Sequence, residues 1–389
     1  MHVKTRIGIA GTGFIAEGLI RTLQLQQDVT VASILTRRNL NDINHFPYKE
    51  LLTNELDVLI ERSDLIVECT GDPIYGTEIV LKAFEAGLPV VTMNSELHVI
   101  SGSYLTGKGF ITEAEGDQPG CIAAFYEDIV QMGFKPLVYG NIKGFINLNP
   151  AYKDMMYWSK RNKLSLSKVT SFTDGTKVQI EQALISNGLG ADIFQDGLLG
   201  PSAENISSGG AYLAEKAKQH GIPISDYVLC PKGPAGIFIT AEHEENQRDA
   251  LEYLKLGPGP YYTLVKNFHL CHLEIIKTIR RVVSGGSVLL NNSLLPSISV
   301  GTIAKKTIKK GEKIDHGIGS FVARGEAVRI RDHEGHLPIG LLENAVFKNS
   351  IEEGQLISMN DVELQESMAL KAWLETEKNV LNQYKAANK

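Results

Sequence analysis

The stretch TRIGIAGTGFIAEGLI, residues 5–20, decides the fold. Its first half is an apolar run that predicts a buried strand, and its second half has the apolar spacing of a helix. Between them lies GTGFIA, with the pattern GxGxxA. In this context Gly11 permits the tight turn, Gly13 lets the backbone approach a pyrophosphate, and Ala16 allows close helix–strand packing. The stretch therefore predicts a dinucleotide-binding turn whose helix N-terminus offers unpaired N–H groups to phosphates.

The first 140 residues alternate predicted strands with predicted helices. Beyond the opening strand, we predict strands at 29–35, 64–71, 88–94 and 109–117, and helices at 14–26, 73–87 and 119–133. Near-continuous apolar strands separated by helices indicate a parallel sheet covered on both faces. We therefore predict an α/β chain in which residues 1–140 form an N-terminal Rossmann parallel sheet that binds NAD(P).

The pattern changes after residue 140. Residues 141–295 combine longer helices with isolated strands, which predicts an α+β catalytic domain that binds the substrate. Residues 296–365 contain short, turn-rich strands and predict a small all-β module. Residues 366–389 predict a C-terminal helix, and we expect its Trp373 to dock on a neighbouring element or a partner subunit.

Composition excludes several classes of protein. The chain has 389 residues, 43% of them hydrophobic, and a net charge of −6. This balance is typical of a soluble protein of two or three domains and argues against a general nucleic-acid surface. No apolar stretch approaches the length of a membrane span. We therefore expect a small-molecule substrate and no nucleic-acid or membrane partner.

The N-terminus and the cysteines indicate the cellular compartment. The first predicted strand begins within a few residues of Met1, so we expect no signal peptide. The four cysteines are far apart and form no CxxC pair, which indicates neither a zinc clip nor a disulfide framework. Buried free thiols are typical of a reducing compartment. We predict a cytoplasmic protein and expect it to be a homo-oligomer.

The end of the second predicted strand bears on cofactor choice. VASILTRRNL, residues 31–40, carries Thr36, Arg37 and Arg38 where an acid that binds a ribose hydroxyl usually stands. Two arginines and a hydroxyl could instead donate to a 2′-phosphate. We therefore favour NADP over NAD, with NAD as the alternative if the arginines only face solvent.

Two later strand ends add candidates. CTGDP (69–73) follows the third strand of the sheet and TMNSE (92–96) the fourth, so both are predicted to border the cofactor crevice. Asn94 lies where an amide could meet the nicotinamide or the substrate. The predicted cofactor-binding residues are Gly11, Gly13, Phe14, Ile15, Thr36, Arg37, Arg38, Thr70, Gly71 and Asn94.

These motifs carry a resemblance to a known family. The first 140 residues are similar to the cofactor domain of homoserine dehydrogenases, whose fourth strand ends in Thr-Ala-Asn-Lys. Here the corresponding residues are Thr92, Met93, Asn94 and Ser95. The asparagine matches, whereas the family's lysine, a catalytic candidate there, is replaced by serine.

A second resemblance covers nearly the whole chain. The stretches 113–120, 147–162, 173–190 and 253–274 resemble deoxyxylulose-phosphate reductoisomerase-like oxidoreductases. AKKTIKKGEKI and LPIGLLENAVFKNSIEEGQLISMNDVE resemble a SAF domain, which implies that residues 296–365 form a β-clip module. The resemblance implies hydride chemistry rather than one named substrate.

Hydride delivery to a carbonyl requires a group that stabilises and protonates the alkoxide, and a lysine oriented by an acid suits this role. We select Lys143, Lys160 and Lys177 as anion or alkoxide partners, together with Asp154. Asp154 and Lys160 are chosen because their region resembles the substrate region of homoserine dehydrogenases. Lys177 stands four residues before Glu181, so a helix here would place both on one face.

We predict no metal site. HLCH contains His269, Cys271 and His272, but its spacing is too tight for a zinc finger, and its apolar setting favours packed residues. For Asp192 and Asp196 we favour a role in helix capping and turn formation. A divalent metal is expected only if the chain is a reductoisomerase, in which these acids could hold it against a hydroxyketone.

The sequence favours an NAD(P)H-dependent oxidoreductase that transfers a hydride between NADP and a small hydroxy-carbonyl or sugar-phosphate-like substrate. One alternative is a reductoisomerase that converts 1-deoxy-D-xylulose 5-phosphate to methylerythritol phosphate. A second alternative is a non-catalytic NADP-binding regulatory protein, motivated by Ser95. A third gives the SAF-like module a sugar-binding role of its own.

Overall fold

A computed structural model describes residues 4–43 and 46–387; residues 1–3, 44–45 and 388–389 of the predicted domains lie outside this part of the chain. Six parallel strands form the first sheet, in the order β3-β2-β1-β4-β5-β6. They are β1 (Thr5–Ala10), β2 (Val29–Leu35), β3 (Leu52–Thr53), β4 (Leu65–Glu68), β5 (Val90–Thr92) and β6 (Ile111–Glu113). The predicted Rossmann sheet is confirmed, and its crevice lies where the strand order reverses between β1 and β4.

Helices cover both faces of this sheet. They are α1 (Phe14–Leu23), α2 (Leu56–Glu61), α3 (Pro73–Glu85), α4 (Ser95–Leu97), α5 (Ser103–Thr106) and α6 (Gln118–Gln131), with a π-helical turn (His98–Gly102) between α4 and α5. Leu19 and Ile20 of α1 pack on one face of the sheet, and Ile79 of α3 packs on the other. The carboxyl edge of the sheet is left for the loops that follow the strands.

A second sheet has the order β10-β9-β7-β8, with β7 parallel to β8 and antiparallel to β9. Its strands are β7 (Lys135–Lys143), β8 (Ile224–Leu229), β9 (Ile237–Glu242) and β10 (Tyr262–Lys266). Its helices are α7 (Tyr152–Asn162), α8 (Leu166–Thr173), α9 (Thr176–Leu189), α10 (Ile206–His220), α11 (Arg248–Tyr253) and α12 (Ile275–Val283). Strand β7 contains the predicted domain boundary at residue 140, and it pairs on both sides within this second sheet.

The C-terminal module is all-β, as predicted. It consists of β11 (Ile298–Ala304), β12 (Lys313–His316), β13 (Ala323–Arg329), β14 (Glu343–Phe347) and β15 (Val362–Glu363). One small antiparallel sheet pairs β11 with β13, and another has the order β12-β14-β15. The chain ends in α13 (Met368–Ala387), which packs against α3 and α5. Trp373 of α13 is therefore buried within the chain.

The module is fixed to the second domain by a buried ion pair. Lys305 Nζ lies 2.5 Å from Asp174 Oδ2, and the two side chains are 3% and 0% exposed. The ammonium also donates to the Ser320 carbonyl at 2.7 Å. Among the described helices, none is long and apolar enough to cross a membrane.

A buried histidine makes stability depend on pH. Burial lowers the pKa of His336 to about 4, while its ring bonds Ser299 Oγ at 2.8 Å and the His333 carbonyl at 2.7 Å. Below the ordinary pKa of 6.5 the unfolded chain takes up a proton that the folded chain refuses. Stability from this residue is therefore present above pH 6.5 and is lost as pH falls towards 4, by about 1.4 kcal/mol per pH unit.

We expect His336→Gln to flatten the fall in unfolding free energy between pH 6.5 and 4, measured by urea denaturation at several pH values. Part of the fall should remain, because burial also lowers the pKa of His98 to about 3. An unchanged slope in the variant would contradict this assignment.

Candidate active site

The glycine-rich turn between β1 and α1 has the geometry that a dinucleotide needs. Gly11 has φ +121°, and a Cβ there would lie 2.8 Å from the Cys69 carbonyl oxygen, so only glycine fits. Gly13 is the N-cap of α1, without a side-chain cap, and nothing lies within 4 Å of its Cβ position. The first N–H groups of α1 are thus available to phosphate oxygens, and the residues fit the pyrophosphate of a nicotinamide cofactor.

The loop after β4 forms the opposite edge of the crevice. Gly71 has φ +67° and open space at its Cβ position. Asp72 caps α3 by accepting from the N–H groups of Ile74 and Tyr75 at 3.1 and 3.0 Å. The Thr70 hydroxyl bonds the buried Glu68 carboxylate. The loop is therefore held from within while its glycine faces the crevice.

The predicted 2′-phosphate residues lie together at the end of β2. Arg37 reaches across the crevice, with its guanidinium 2.7 Å from Asp72 Oδ2 and 4.6 Å from the centre of the Tyr75 ring. Thr36 Oγ1 lies 3.0 Å from Thr12 Oγ1 and accepts from the Arg38 N–H at 3.2 Å. The side chains of Arg37 and Arg38 are exposed. A carboxylate from the next loop, which the sequence did not suggest, pairs with Arg37.

A cavity of about 480 Å³ continues from this crevice. The cofactor domain supplies the first turn of α1 and the loops after β4 and β5, and the second domain supplies α8 and the start of α9. The C-terminal module supplies the third side with His316 at the end of β12 and Glu343 at the start of β14. Three parts of the chain therefore meet around one space.

Lys177, in the first turn of α9, is the cation at the base of this cavity. Its Nζ lies 2.7 Å from Ser95 Oγ, 3.0 Å from Asp117 Oδ2 and 3.3 Å from Glu96 Oε1. Burial acts to lower the pKa of Lys177, but Asp117, Glu96 and Glu181 together raise it well above its ordinary value. Burial acts to raise the pKa of Asp117, yet Lys177 leaves it lowered. Lys177 is therefore a cation, and Asp117 an anion, at neutral pH.

A second polar layer lies behind Lys177. Glu181, one helical turn further along α9, accepts from Lys143 Nζ at 3.0 Å and from the Asn141 amide at 2.8 Å. Burial raises the pKa of Glu181 although Lys143 opposes it. The predicted Lys177–Glu181 helical face exists, and Lys143 supports it from behind.

The other predicted residues lie elsewhere. Lys160 and Asp154 are exposed on α7 and do not line the cavity. Asn94 is fully buried: its Oδ1 accepts from the Leu97 N–H at 3.1 Å, and its amide donates to Glu68 at 3.4 Å. This differs from the predicted nicotinamide contact, because capping α4 turns the side chain into the protein.

Sequence reasoning missed Ser95, Glu96 and Asp117. The signal was present in TMNSE and EAEGDQPG, which both follow strands of the first sheet. Ser95 stands where homoserine dehydrogenases carry a lysine, and here its hydroxyl contacts Lys177 from α9. An ammonium group thus reaches this position from another element.

No cluster of potential metal ligands occurs among the described residues. Cys271 lines the cavity, whereas His272 packs edge-on against Phe14 with ring centres 5.6 Å apart. Asp192 contacts His220 and Arg329 at 2.8 and 3.1 Å, and Asp196 contacts His333. The two acids bind positively charged or imidazole side chains, and they link the second domain to the module.

Comparison with known families assigns the class of chemistry. Residues 11–105 match the model of the homoserine dehydrogenase NAD-binding domain. Residues 116–275 match the model of the catalytic domain of the oxidoreductase DRL. The chain is an NAD(P)-dependent oxidoreductase. The first match confirms the resemblance of the cofactor domain, and the second includes Asp117, Lys177 and Glu181.

Solved structures resemble this oxidoreductase at low identity. A "probable dehydrogenase" from Thermotoga maritima is 13% identical, with a TM-score of 0.44, over 74% of this chain and 91% of that one. UDP-N-acetylglucosamine 3-dehydrogenase from Acidithiobacillus ferrooxidans is 11% identical, with a TM-score of 0.44, over 75% and 92%. A Clostridium difficile dehydrogenase is 12% identical, with a TM-score of 0.39, over 75% and 94%. No curated protein gives a significant match in sequence.

Proposed function

We propose that this oxidoreductase transfers a hydride between NADP and a small hydroxy-carbonyl compound, with Lys177 as the group that binds the reacting oxygen. The observation that carries the proposal is the position of the Lys177 ammonium. It lies in the wall of a cavity that continues from the glycine-rich turn, and it is held by Ser95 and Asp117. When bound, the nicotinamide ring supplies or accepts the hydride.

The surroundings of Lys177 are suited to binding an alkoxide oxygen. An ammonium has three N–H donors, and Ser95, Asp117 and Glu96 are its three partners. Glu96 is the most distant of them, so a substrate oxygen displaces Glu96 at the least cost. Lys177 then donates to the oxygen on which negative charge develops, and it supplies the proton when the carbonyl is reduced. Asp117 keeps the lysine charged and in place.

Polar side chains suggest a polar substrate. Ser165, Ser167, Lys168 and Ser171 belong to α8 or its N-cap, and all four line the cavity. Hydroxyl and ammonium groups suit a substrate with several hydroxyls or a phosphate. A screen with NADPH should begin with hydroxyaldehydes, hydroxyketones and their phosphates. It should include 1-deoxy-D-xylulose 5-phosphate, because a rearranged product would identify the reductoisomerase alternative.

The preference for NADP is tested by the two arginines. We expect Arg37→Ala/Arg38→Ala to weaken NADPH binding by about 10- to 100-fold, because charge-assisted hydrogen bonds to the 2′-phosphate are lost. NADH affinity should stay unchanged. Fluorescence titration of both cofactors against the wild type and the double variant measures this. Equal binding of the two cofactors by the wild type, unaffected by the substitutions, would assign NAD instead.

The proposal also includes the cellular compartment and the oligomeric state of the enzyme. The net charge of −6 and the four free cysteines support a cytoplasmic oxidoreductase. We propose a homo-oligomer, which size-exclusion chromatography with light scattering would test. The SAF-like identity of the module rests on its sequence resemblance and on its short antiparallel strands.

A further inference from the structure

A second cavity, of about 280 Å³, lies at the other end of the crevice. One side is formed by Arg37 and Tyr75 of the cofactor domain. The facing side consists of Leu341 and Leu364, which belong to the C-terminal region, defined here as residues 298–387. In a Rossmann fold the end of the second strand marks the adenosine half of the cofactor. The second cavity is therefore on the adenosine side.

The two cavities form one continuous cleft. Asp72 from the loop after β4 and Glu343 from β14 line both of them. Gly71, which lines the larger cavity, and Gly13, the N-cap of α1, leave open space at their Cβ positions. The smaller cavity thus contains Arg37 in its lining, and the larger one contains Gly71 and Lys177. An adenosine, a pyrophosphate and a nicotinamide occur in that order along a dinucleotide.

The C-terminal region is held closely against this cleft. A Cβ at Gly340 would lie 2.1 Å from Ile100 Cδ1, and one at Gly319 would lie 2.0 Å from the Ser167 carbonyl oxygen. At Gly319, which has φ +72°, only glycine permits this approach of the backbone to α8, whereas at Gly340 the neighbour is the end of the Ile100 side chain. The C-terminal region therefore packs tightly against the other two domains at this cleft.

We propose that the C-terminal region is part of the dinucleotide site and forms the wall that faces the Rossmann edge, where it encloses the adenosine half of the cofactor. This inference rests on the proposed function, since it requires that a nicotinamide dinucleotide occupies the cleft. It assigns cofactor binding to a part of the chain beyond residue 275, which neither family match reaches.

The chemistry of the wall fits an adenine and its ribose. The Tyr75 ring offers a flat surface for stacking, and Leu341 and Leu364 offer apolar contact on the opposite side. The carboxylate of Glu343 can accept from the free 3′-hydroxyl of the adenosine ribose. A base stacked between the two walls would be removed from water on both faces.

The inference is tested by a large side chain introduced into the adenosine-side cavity from the C-terminal region. Gln365 is exposed and lines this cavity, whereas Asn360 is exposed on the same region and lines neither cavity. We expect Gln365→Trp to weaken NADPH binding at least tenfold, and Asn360→Trp to bind as the wild type does. Fluorescence titration of the full-length proteins measures both. Wild-type affinity in Gln365→Trp would overturn the inference and leave the proposed function intact.

A measurement on the unaltered protein covers the case in which Gln365→Trp does not fold. We expect saturating NADPH to slow amide hydrogen exchange in residues 339–344 and 364–370 as well as in 11–16. Slowing confined to 11–16 would overturn the proposed wall. A wild type that binds neither NADPH nor NADH would overturn the proposed function together with this inference.

Discussion

Replacing Lys177 by methionine is expected to lower kcat on the order of 10²- to 10⁴-fold, the contribution of a positioned proton donor. Methionine keeps much of the side-chain length and removes the ammonium that we propose donates to the alkoxide. NADPH affinity should be retained, because the glycine-rich turn and Arg37 are not among the hydrogen-bond or ion-pair partners of Lys177. Steady-state rates and a fluorescence titration on the same preparation separate the two effects.

Lys160→Met is the matched control. Sequence analysis selected this lysine as well, but its side chain is exposed on α7 and does not line the cavity. Its rate should stay within about twofold of the wild type, as for most surface substitutions. A large loss in Lys160→Met with a normal rate in Lys177→Met would reverse the assignment and would require α7 to close on the substrate.

A large loss of stability is expected from Lys305→Met. This change leaves the Asp174 carboxylate buried without its cation, and breaking a buried pair in this way costs about 3–5 kcal/mol. The pair joins the C-terminal module to the turn before α9. The loss would therefore also loosen the wall around Lys177. The free energy of unfolding from urea denaturation measures the effect.

The adjacent lysine provides the comparison. Lys306 pairs with Glu312 at 3.0 Å, but its side chain is 52% exposed. Lys306→Met should cost less than about 1 kcal/mol, because water solvates both charges once the pair is lost. Adding Asp174→Asn to Lys305→Met should recover part of the stability by removing the uncompensated charge. Equal losses for the two single lysine variants would refute a special role for the buried pair.

The first sheet could be predicted because its signals are local. A strand, a glycine-rich turn and a helix are encoded within residues 5–20, and each later strand is an uninterrupted apolar run.

Helix α9 could not be told from a strand. Its residues from Val178 to Asn187 are buried on every side, polar ones such as Gln182 included. A helix without a solvent face has no amphipathic period to detect.

The site was only partly predictable for a different reason. Lys177 could be selected by residue type, but its partners Ser95 and Asp117 come from other loops, and only the fold brings them together. The same holds for Arg37, whose partner Asp72 lies 35 positions away. Asn94 shows a further limit of prediction. The end of its strand was placed correctly, but this did not determine the direction in which the Asn94 side chain points.

The contact between Ser95 and Lys177 has a consequence for evolutionary inference. The two residues are 82 positions apart, yet the Ser95 hydroxyl, at the position where the resembling family has a lysine, contacts the Lys177 ammonium. If catalytic labels were carried across an alignment column by column, the label would fall on a serine and the chain would be scored as having lost its chemistry. The fold nevertheless places an ammonium group 2.7 Å from that serine, delivered by a different segment of the chain.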